Sequence, residues 1–298
     1  MRVLFLSDTH LGADGRGRGR ERAADRSLDS FAVFERALAP AFRGEVDLVV
    51  HGGDLLYRSR VPDSLVERAF APLARVADAG VPVFVVPGNH ERSRFPLTLW
   101  TRWPGVHVFD RPRTFVIVAR GQRVALTGFP FERHDVRGRF RGLLEAAGVT
   151  RADLRLLCLH HCVEGATVGP VGFTFRRGRD VIRCADLPEG FAAVLAGHVH
   201  RHQVLVRDLR GAPLRCPVLY AGATRRTSSA ERLEDKGSMR LDFADGVLRD
   251  WRFDVLAPSC DATVPVRGPA FSRPEASVPE EAAGRLRARP AGAGAGRG

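Results

Sequence analysis

The sequence predicts an α/β fold in which two β-sheets pack face to face with helices on the outside. Three observations predict it. Short apolar segments alternate with segments of helical period through the first third of the chain, short apolar segments dominate the rest as far as Val255, and acids, imidazoles and an amide stand directly after several of these segments. Alternating strands and helices imply parallel pairing through right-handed crossovers. A parallel sheet gathers polar side chains at the carboxyl ends of its strands, where loops face a ligand.

The first strand is read at Val3–Ser7, apolar, short and ended by Asp8. A Gly/Arg loop from Gly12 to Arg20 leads to a helix over Ala23–Ala41, where Leu28, Phe31, Phe34 and Leu38 recur at three- and four-residue spacing and so form one apolar face. Val46–Val50 is the second strand and runs into His51-Gly52-Gly53-Asp54. A second helix begins near Pro62 and Asp63, keeps Leu65, Val66, Ala69, Phe70 and Leu73 on one side, and ends before Gly80; proline suits a first helical turn because its missing N–H has no partner to lose there. Val81–Val86 is the third strand, stopped by Pro87-Gly88. Strands are then expected at Val106–Phe109, Thr114–Ala119 and Val124–Gly128, a short helix near Phe140–Ala147, and strands at Leu154–Leu159 and Ala192–Ala196. Val204–Leu209, Pro217–Tyr220, Met239–Phe243 and Leu248–Phe253 complete the series, the last two joined by a turn at Ala244-Asp245-Gly246.

The predicted organisation is one domain over residues 1–255 and a low-complexity tail over 256–298. Pro, Ala, Gly and Arg dominate the tail, which therefore has too little apolar surface to offset its ordering entropy and is expected to be disordered. No segment reaches the roughly 18 apolar residues of a membrane helix, and the N-terminal apolar stretch meets Asp8 too soon for a secretory signal. A cytoplasmic location without membrane contact is the expectation. Cys158, Cys162, Cys184, Cys216 and Cys260 are odd in number and lack zinc-knuckle spacing, so they are read as reduced thiols. The formal charge is +12, from 46 Lys plus Arg against 34 Asp plus Glu, with Lys236 the only lysine. Such a balance favours a polyanionic partner such as nucleic acid, although a general preference for Arg over Lys gives the same numbers.

The chemistry is read from Asp8-Thr9-His10, Gly53-Asp54, Gly88-Asn89-His90, His160-His161 and Gly197-His198-Val199-His200. Each alone has an ordinary reading, as a turn, a chance pair or one face of an exposed strand. Together they supply what two divalent cations about 3.5–4 Å apart require: a bridging anion, further carboxylate or imidazole ligands, and open positions. Asp54 can give one oxygen to each ion, Asp8 and His10 can point into one metal, and His198 and His200 can divide between the two. Asn89 offers a neutral amide oxygen, which limits the negative charge that would repel a phosphate. The reaction expected of such a centre is attack of metal-activated hydroxide on a phosphate ester.

These blocks, in this order over residues 8–200, resemble the calcineurin-like metallophosphoesterase superfamily. The resemblance implies a four-layer α/β/β/α sandwich, with Asp8, His10, Asp54 and His200 around one metal and Asp54, Asn89, His160 and His198 around the other. Within the superfamily the chain is most similar to the DNA repair exonuclease branch that includes the SbcD-like nuclease subunit, through Phe5-Leu6-Ser7-Asp8-Thr9-His10-Leu11-Gly12, Leu159-His160-His161-Cys162-Val163-Glu164-Gly165-Ala166, Tyr220-Ala221-Gly222-Ala223-Thr224, Thr227-Ser228-Ser229-Ala230-Glu231 and Asp235-Lys236-Gly237. That alignment makes His160 the ligand and puts His161 where glutamine is usual. It also implies that His90 binds no metal and acts with Asp54 in catalysis, as general acid or as a stabiliser of charge on the phosphoryl oxygens. Glu91 either orients His90 or is a solvated loop acid. Two divalent ions are implied, manganese first, with iron, zinc or cobalt suited to the same donors.

The predicted substrate is nucleic acid, cut by an exonuclease or a single-strand or flap nuclease. Arg16, Arg18, Arg20, Arg22 and Arg26, Arg58 and Arg60, and Arg176, Arg177 and Arg179 fall in loops at the same predicted sheet edge, where guanidinium forks suit backbone phosphates. The alternatives are a small-molecule phosphodiesterase or phosphomonoesterase and a non-catalytic binding module. Trp100 and Trp103 are offered for base stacking or, more simply, for packing. A coiled-coil ATPase partner is compatible with the branch, although the docking region usual after the core is missing or short.

Overall fold

The computed structural model describes residues 1–13, 20–91, 103–148, 150–257 and 267–268, of which 20–29, 257 and 267–268 are described as backbone. Strand β1 (Arg2–Leu6) is followed by α1 (Arg20–Phe42), β2 (Leu48–His51), α2 (Asp63–Asp78), β3 (Val83–Val85) and β4 (Val106–Val108). Then come β5 (Arg113–Ala119), β6 (Gln122–Gly128), α3 (Val136–Ala147), β7 (Leu154–Leu159) and four two-residue strands, β8 (Cys162–Val163), β9 (Thr167–Val168), β10 (Phe173–Thr174) and β11 (Val181–Ile182). The chain continues through β12 (Ala193–Ala196), β13 (Gln203–Arg207), β14 (Pro213–Tyr220), β15 (Lys236–Ala244), β16 (Val247–Ala257) and β17 (Arg267–Gly268).

Two sheets result, one ordered β17-β16-β15-β1-β2-β3-β4 and the other β13-β14-β12-β7-β6-β5. In the first, β1 to β4 run parallel, and β15 joins β1 antiparallel. In the second, β6, β7, β12 and β14 run parallel. Side chains alternate across a strand, and β1 shows the result: Val3 and Phe5 enter the core between the sheets with Leu126, Leu156 and Leu195, while Leu4 and Leu6 face Phe34, Leu38, Phe70 and Leu73 of the helices outside. The far face of the second sheet buries Leu157, Leu159 and Val194 against Phe140 and Leu144 of α3. Three cores separated by two sheets make the four-layer α/β/β/α sandwich, and burial on both faces explains why the strands read as unbroken apolar runs.

Several boundaries move for physical reasons. Ser7 leaves the β1 ladder and bridges Ala223 instead. The third helix starts at Val136, before the predicted Phe140, because Asp135 caps it by accepting from the Gly138 N–H. Strands β8 to β11 are too short to leave a periodic signal, and no element is predicted there. Strand β16 extends past Val255, and Arg267–Gly268 pairs with Trp251 and Arg252; the rest of the predicted tail and Cys260 lie outside the described residues.

Candidate metal centre

The parallel strands of both sheets end on one side of the molecule, and that side carries the predicted donors. Asp8 and His10 follow β1, Asp54 follows β2, Asn89 follows β3, His160 directly follows β7, and His198 and His200 follow β12. The turns are tight. Asp8, His10, Asp54 and His198 are four of the seven non-glycine residues with positive φ among the described residues, a backbone state that costs about 1–3 kcal/mol each and persists only when neighbours over-determine it. Backbone bonds do so here: the Asp8 N–H donates to Gly53 O at 2.9 Å and the His10 N–H to Asp54 O at 2.9 Å.

Glycines set the distance between the loops. A Cβ on Gly197 would lie 2.1 Å from the Gly52 carbonyl oxygen, one on Gly53 (φ +109°) 2.3 Å from His160 Nδ1, and one on Gly88 2.1 Å from Asp54 Oδ1. Gly197 and Gly53 therefore let the two sheets touch at the pocket and Gly88 lets the β3 loop close on Asp54, beyond any role in turning the chain.

The donor atoms converge. Asp54 Oδ2 lies 3.4 Å from His160 Nε2, 3.7 Å from His90 Nε2 and 3.9 Å from His10 Nε2. Asp8 Oδ1 lies 3.7 Å from His200 Nε2 and 4.0 Å from His160 Nε2, and the Nε2 atoms of His10 and His200 are 3.1 Å apart. Asn89 Oδ1 sits between His160 Nε2 at 3.1 Å and His198 Nδ1 at 2.9 Å. Ligand atoms of Asp8, His10 and His200 fall within 4.8 Å of one another, as do those of Asp8, Asp54 and His160, and of His10, Asp54 and His90.

The imidazoles are aimed from behind. His160 Nδ1 donates to Gly52 O at 2.7 Å, His90 Nδ1 donates to Tyr57 O, and His200 Nδ1 donates to Glu231 Oε1 at 2.9 Å. Each ring then turns its Nε2 inward, as outer hydrogen bonds orient metal-binding histidines. Donor atoms of carboxylates and imidazoles gathered within 4.8 Å of one another form groups able to hold divalent cations. The charge balance agrees: burial lowers His10 to about 3, and burial, then the positive field of His160, lowers His198 to about 4. Burial pulls His160 down as well, but the Asp54 and Asp8 carboxylates outweigh it and raise this imidazole to about 9. The carboxylate field that raises His160 would equally favour a cation at this position.

Residues 1–202 match the family described as calcineurin-like phosphoesterase. The chain belongs to that family. The membership accounts for the donor set, which is that of a hydrolase using divalent metal ions. DNA double-strand break repair protein Mre11 of Haloferax volcanii is 41% identical over 95 residues, 31% of this chain and 20% of that protein. The protein of the same description from Saccharolobus solfataricus is 22% identical over 70% of this chain and 51% of its own length. That from Methanocaldococcus jannaschii is 23% identical over 82% and 63%. In several of these alignments the chain spans about half the length of the curated relative it matches. The crystal structure of a hypothetical protein from Thermus thermophilus shares the fold, with a TM-score of 0.50 at 17% identity over 91% of this chain and 100% of that one.

In this phosphoesterase His161 faces away from the donors: its Nε2 accepts from the Glu132 N–H at 2.9 Å and its ring stacks on Phe131 at 4.8 Å. Glu91 does neither thing expected of it. It is buried, and its carboxylate accepts from the backbone N–H of Asp54 at 3.0 Å, Leu56 at 2.7 Å and Gly88 at 2.8 Å, clamping the β2 and β3 loops together. Trp103 stacks on Phe70 at 4.7 Å and so packs. Cys158, Cys162, Cys184 and Cys216 are free and buried. Among the described residues no helix is long and apolar enough to cross a membrane. Arg16, Arg18 and Trp100 lie outside the described residues, as do the side chains of Arg20, Arg22 and Arg26.

Three supporting residues carry no role in the sequence reading. His51 accepts from the Gly53 N–H at Nδ1, 3.2 Å, which leaves its Nε2–H for Thr9 Oγ1 at 2.9 Å; an imidazole at the end of the apolar run of β2 was the available signal. Glu231 holds His200 and also accepts from Thr227 N at 3.0 Å. Lys236, fully buried, reaches Glu231 at 3.2 Å, Glu234 at 2.8 Å and His200 O at 2.8 Å.

Proposed function

We propose that this phosphoesterase is a nuclease, hydrolysing phosphodiester bonds of nucleic acid with two divalent cations, manganese first, in the cytoplasm. The observation that carries the reading is the meeting of Asp8, His10, Asp54, Asn89, His160, His198 and His200 at the mouth shared by two sheets. Asp8, His10, Asp54 and His200 would hold one cation, and Asp54, Asn89, His160 and His198 the other. Bound there, the cations would act as Lewis acids and make water nucleophilic near neutral pH.

The chain's own groups do the rest. His90 is open to solvent, its side chain 37% exposed against 29% for His200 and 7% for His10, and its Nδ1 is tied to Tyr57 O. In the imidazolium form its Nε2–H would be the group able to meet a phosphoryl oxygen or hand a proton to a departing alkoxide. The His90 N–H donates to Asp54 Oδ1 at 2.9 Å, which couples its position to the bridging acid. Arg58 and Arg60 are exposed on the same loop as the pocket residue Tyr57, and Arg58 lies over the Tyr57 ring at 4.7 Å. They suit phosphates beyond the one being cut. The Mre11 relatives support nucleic acid as the substrate class and leave room for a coiled-coil ATPase partner.

The test is hydrolysis of end-labelled single- and double-stranded DNA with manganese. Asp54→Ala and His90→Ala are each expected to lose activity, on the order of 10³-fold or more for the bridging acid. Turnover should fall as salt rises, because a polyanion releases counterions on binding. Hydrolysis of small phosphoesters with no cleavage of any nucleic acid would remove the assignment.

A further inference from the structure

The hairpin that follows His160 contributes no donor to the pocket. Strands β9 and β10 pair through two residues each, Phe173 opposite Val168 and Thr174 opposite Thr167, too few to hold a ribbon in water unaided. The support comes from the loop that carries His198 and His200. Gln203 pairs with Thr167 much as a strand residue would, its Oε1 accepting the Thr167 N–H at 2.8 Å and its Nε2 donating to Thr167 O at 2.9 Å. Arg201, next to His200, donates to Thr167 Oγ1 at 3.2 Å and to Gly169 O, while its Nε is held by Glu234 at 2.9 Å. The hairpin is therefore fixed to a ligand-bearing loop.

Its tip is apolar and bare. Val171 is 93% exposed and Phe173 59% exposed. Phe175 meets Phe173 edge to face, with centroids 5.4 Å apart at 89°, and itself packs on the core beneath the second sheet. Phe173 is thus braced on one side and open on the other. Arg176 and Arg177, both exposed, follow at once.

A lone exposed phenylalanine needs no explanation, but a braced ring followed three and four residues on by two exposed arginines joins the two elements that hold unpaired nucleotides, a face for a base and forks for its phosphates. We propose that the β9–β10 hairpin is a stacking shelf for one unpaired nucleobase of a strand whose phosphate enters the metal pocket, with Arg176 and Arg177 on the neighbouring phosphates. The inference rests on the nuclease reading and adds the strand state, an unpaired strand in preference to intact duplex.

The experiment is binding of a fluorescent single-stranded phosphorothioate oligothymidylate to the full 298-residue chain with manganese, beside turnover of bis(p-nitrophenyl) phosphate, a diester too small to need the shelf. Phe173→Ala should weaken oligonucleotide binding by about 5- to 100-fold, the range of one lost base stack, leave the small diester unaffected, and be rescued by Phe173→Tyr. Arg176→Ala and Arg177→Ala should each flatten the salt dependence by roughly 0.7 in log–log slope. Binding unchanged in Phe173→Ala, equal loss in Phe173→Tyr, or equal loss on blunt duplex would overturn the shelf while DNA cleavage kept the nuclease reading alive. A chain that cuts the small diester and binds no nucleic acid would instead remove both.

Discussion

The two sheets deliver their donors to the pocket by different physics. On the first sheet, Asp8, Asp54 and Asn89 sit on loops fixed by backbone hydrogen bonds, by the Glu91 clamp on three N–H groups and by glycines that leave no room for a methyl group. On the second, His200 is aimed by a charged chain, Glu231 to Lys236 to Glu234 to Arg201. The first arrangement is a matter of packing, so its failure should appear as lost fold. The second is a matter of charge and tautomer, so its failure should appear as lost metal with the fold retained.

The largest effect that could break this contrast is at the contact between the sheets. Gly197→Ala places a Cβ against Gly52 O and is expected to cost about 3 kcal/mol as overpacking, with the melting temperature lowered whether or not metal is supplied. Should Gly197→Ala melt like the parent chain, the packing account of the contact between the sheets is wrong. A smaller and more selective effect is expected of Glu231→Gln. Divalent-metal affinity by titration calorimetry should fall roughly 10- to 100-fold, as for other partners of ligating histidines, while melting of the metal-free chain changes far less. Equal losses of stability and affinity would erase the distinction between the two sides.

The smallest effect is a pH dependence that sharpens the electrostatic half. In the metal-free chain His160 is raised from 6.5 to about 9. A raised pKa means that the folded chain holds a proton the unfolded chain releases, so its stabilisation is full below 6.5 and lost as pH rises towards 9. Glu91, raised by burial and then by the charge of Asp54, acts in the same direction. The metal-free melting temperature should therefore fall across that alkaline window in a calorimetric scan. Saturating manganese, taking over the role of the proton, should flatten the fall.

How much of this was legible in the sequence follows from where each signal resides. The strands of the first sheet were readable because burial on both faces makes Val3 to Leu6 and Leu48 to Val50 apolar throughout. The donors were readable because each stands just after an apolar run, in a recognisable order along the chain, and the structure brings all seven predicted ligand residues and His90 together. The hairpin β9–β10 was not readable, since two-residue strands held by Gln203 and Arg201 from far along the chain leave no local period. Glu91 illustrates the same limit. A glutamate after Asn-His reads equally as solvated or orienting, and only the fold shows three N–H groups converging on it. His51, Glu231 and Lys236 stand in motifs quoted from the sequence, but their roles were not assignable because they depend on partners brought together from different loops.

One consequence attaches to the lysine beneath His200. Because Lys236 is the only lysine in these 298 residues and its side chain is wholly buried, a lysine-specific protease has a single bond to cut in the entire chain. That bond begins strand β15, which is paired along its length with β16. Cleavage can therefore proceed only when β15 opens around Lys236, and its rate reports the population of that open state where reclosing is faster than cleavage. One natural residue thus makes the chain its own reporter of breathing at the metal site, without a label and without an introduced mutation.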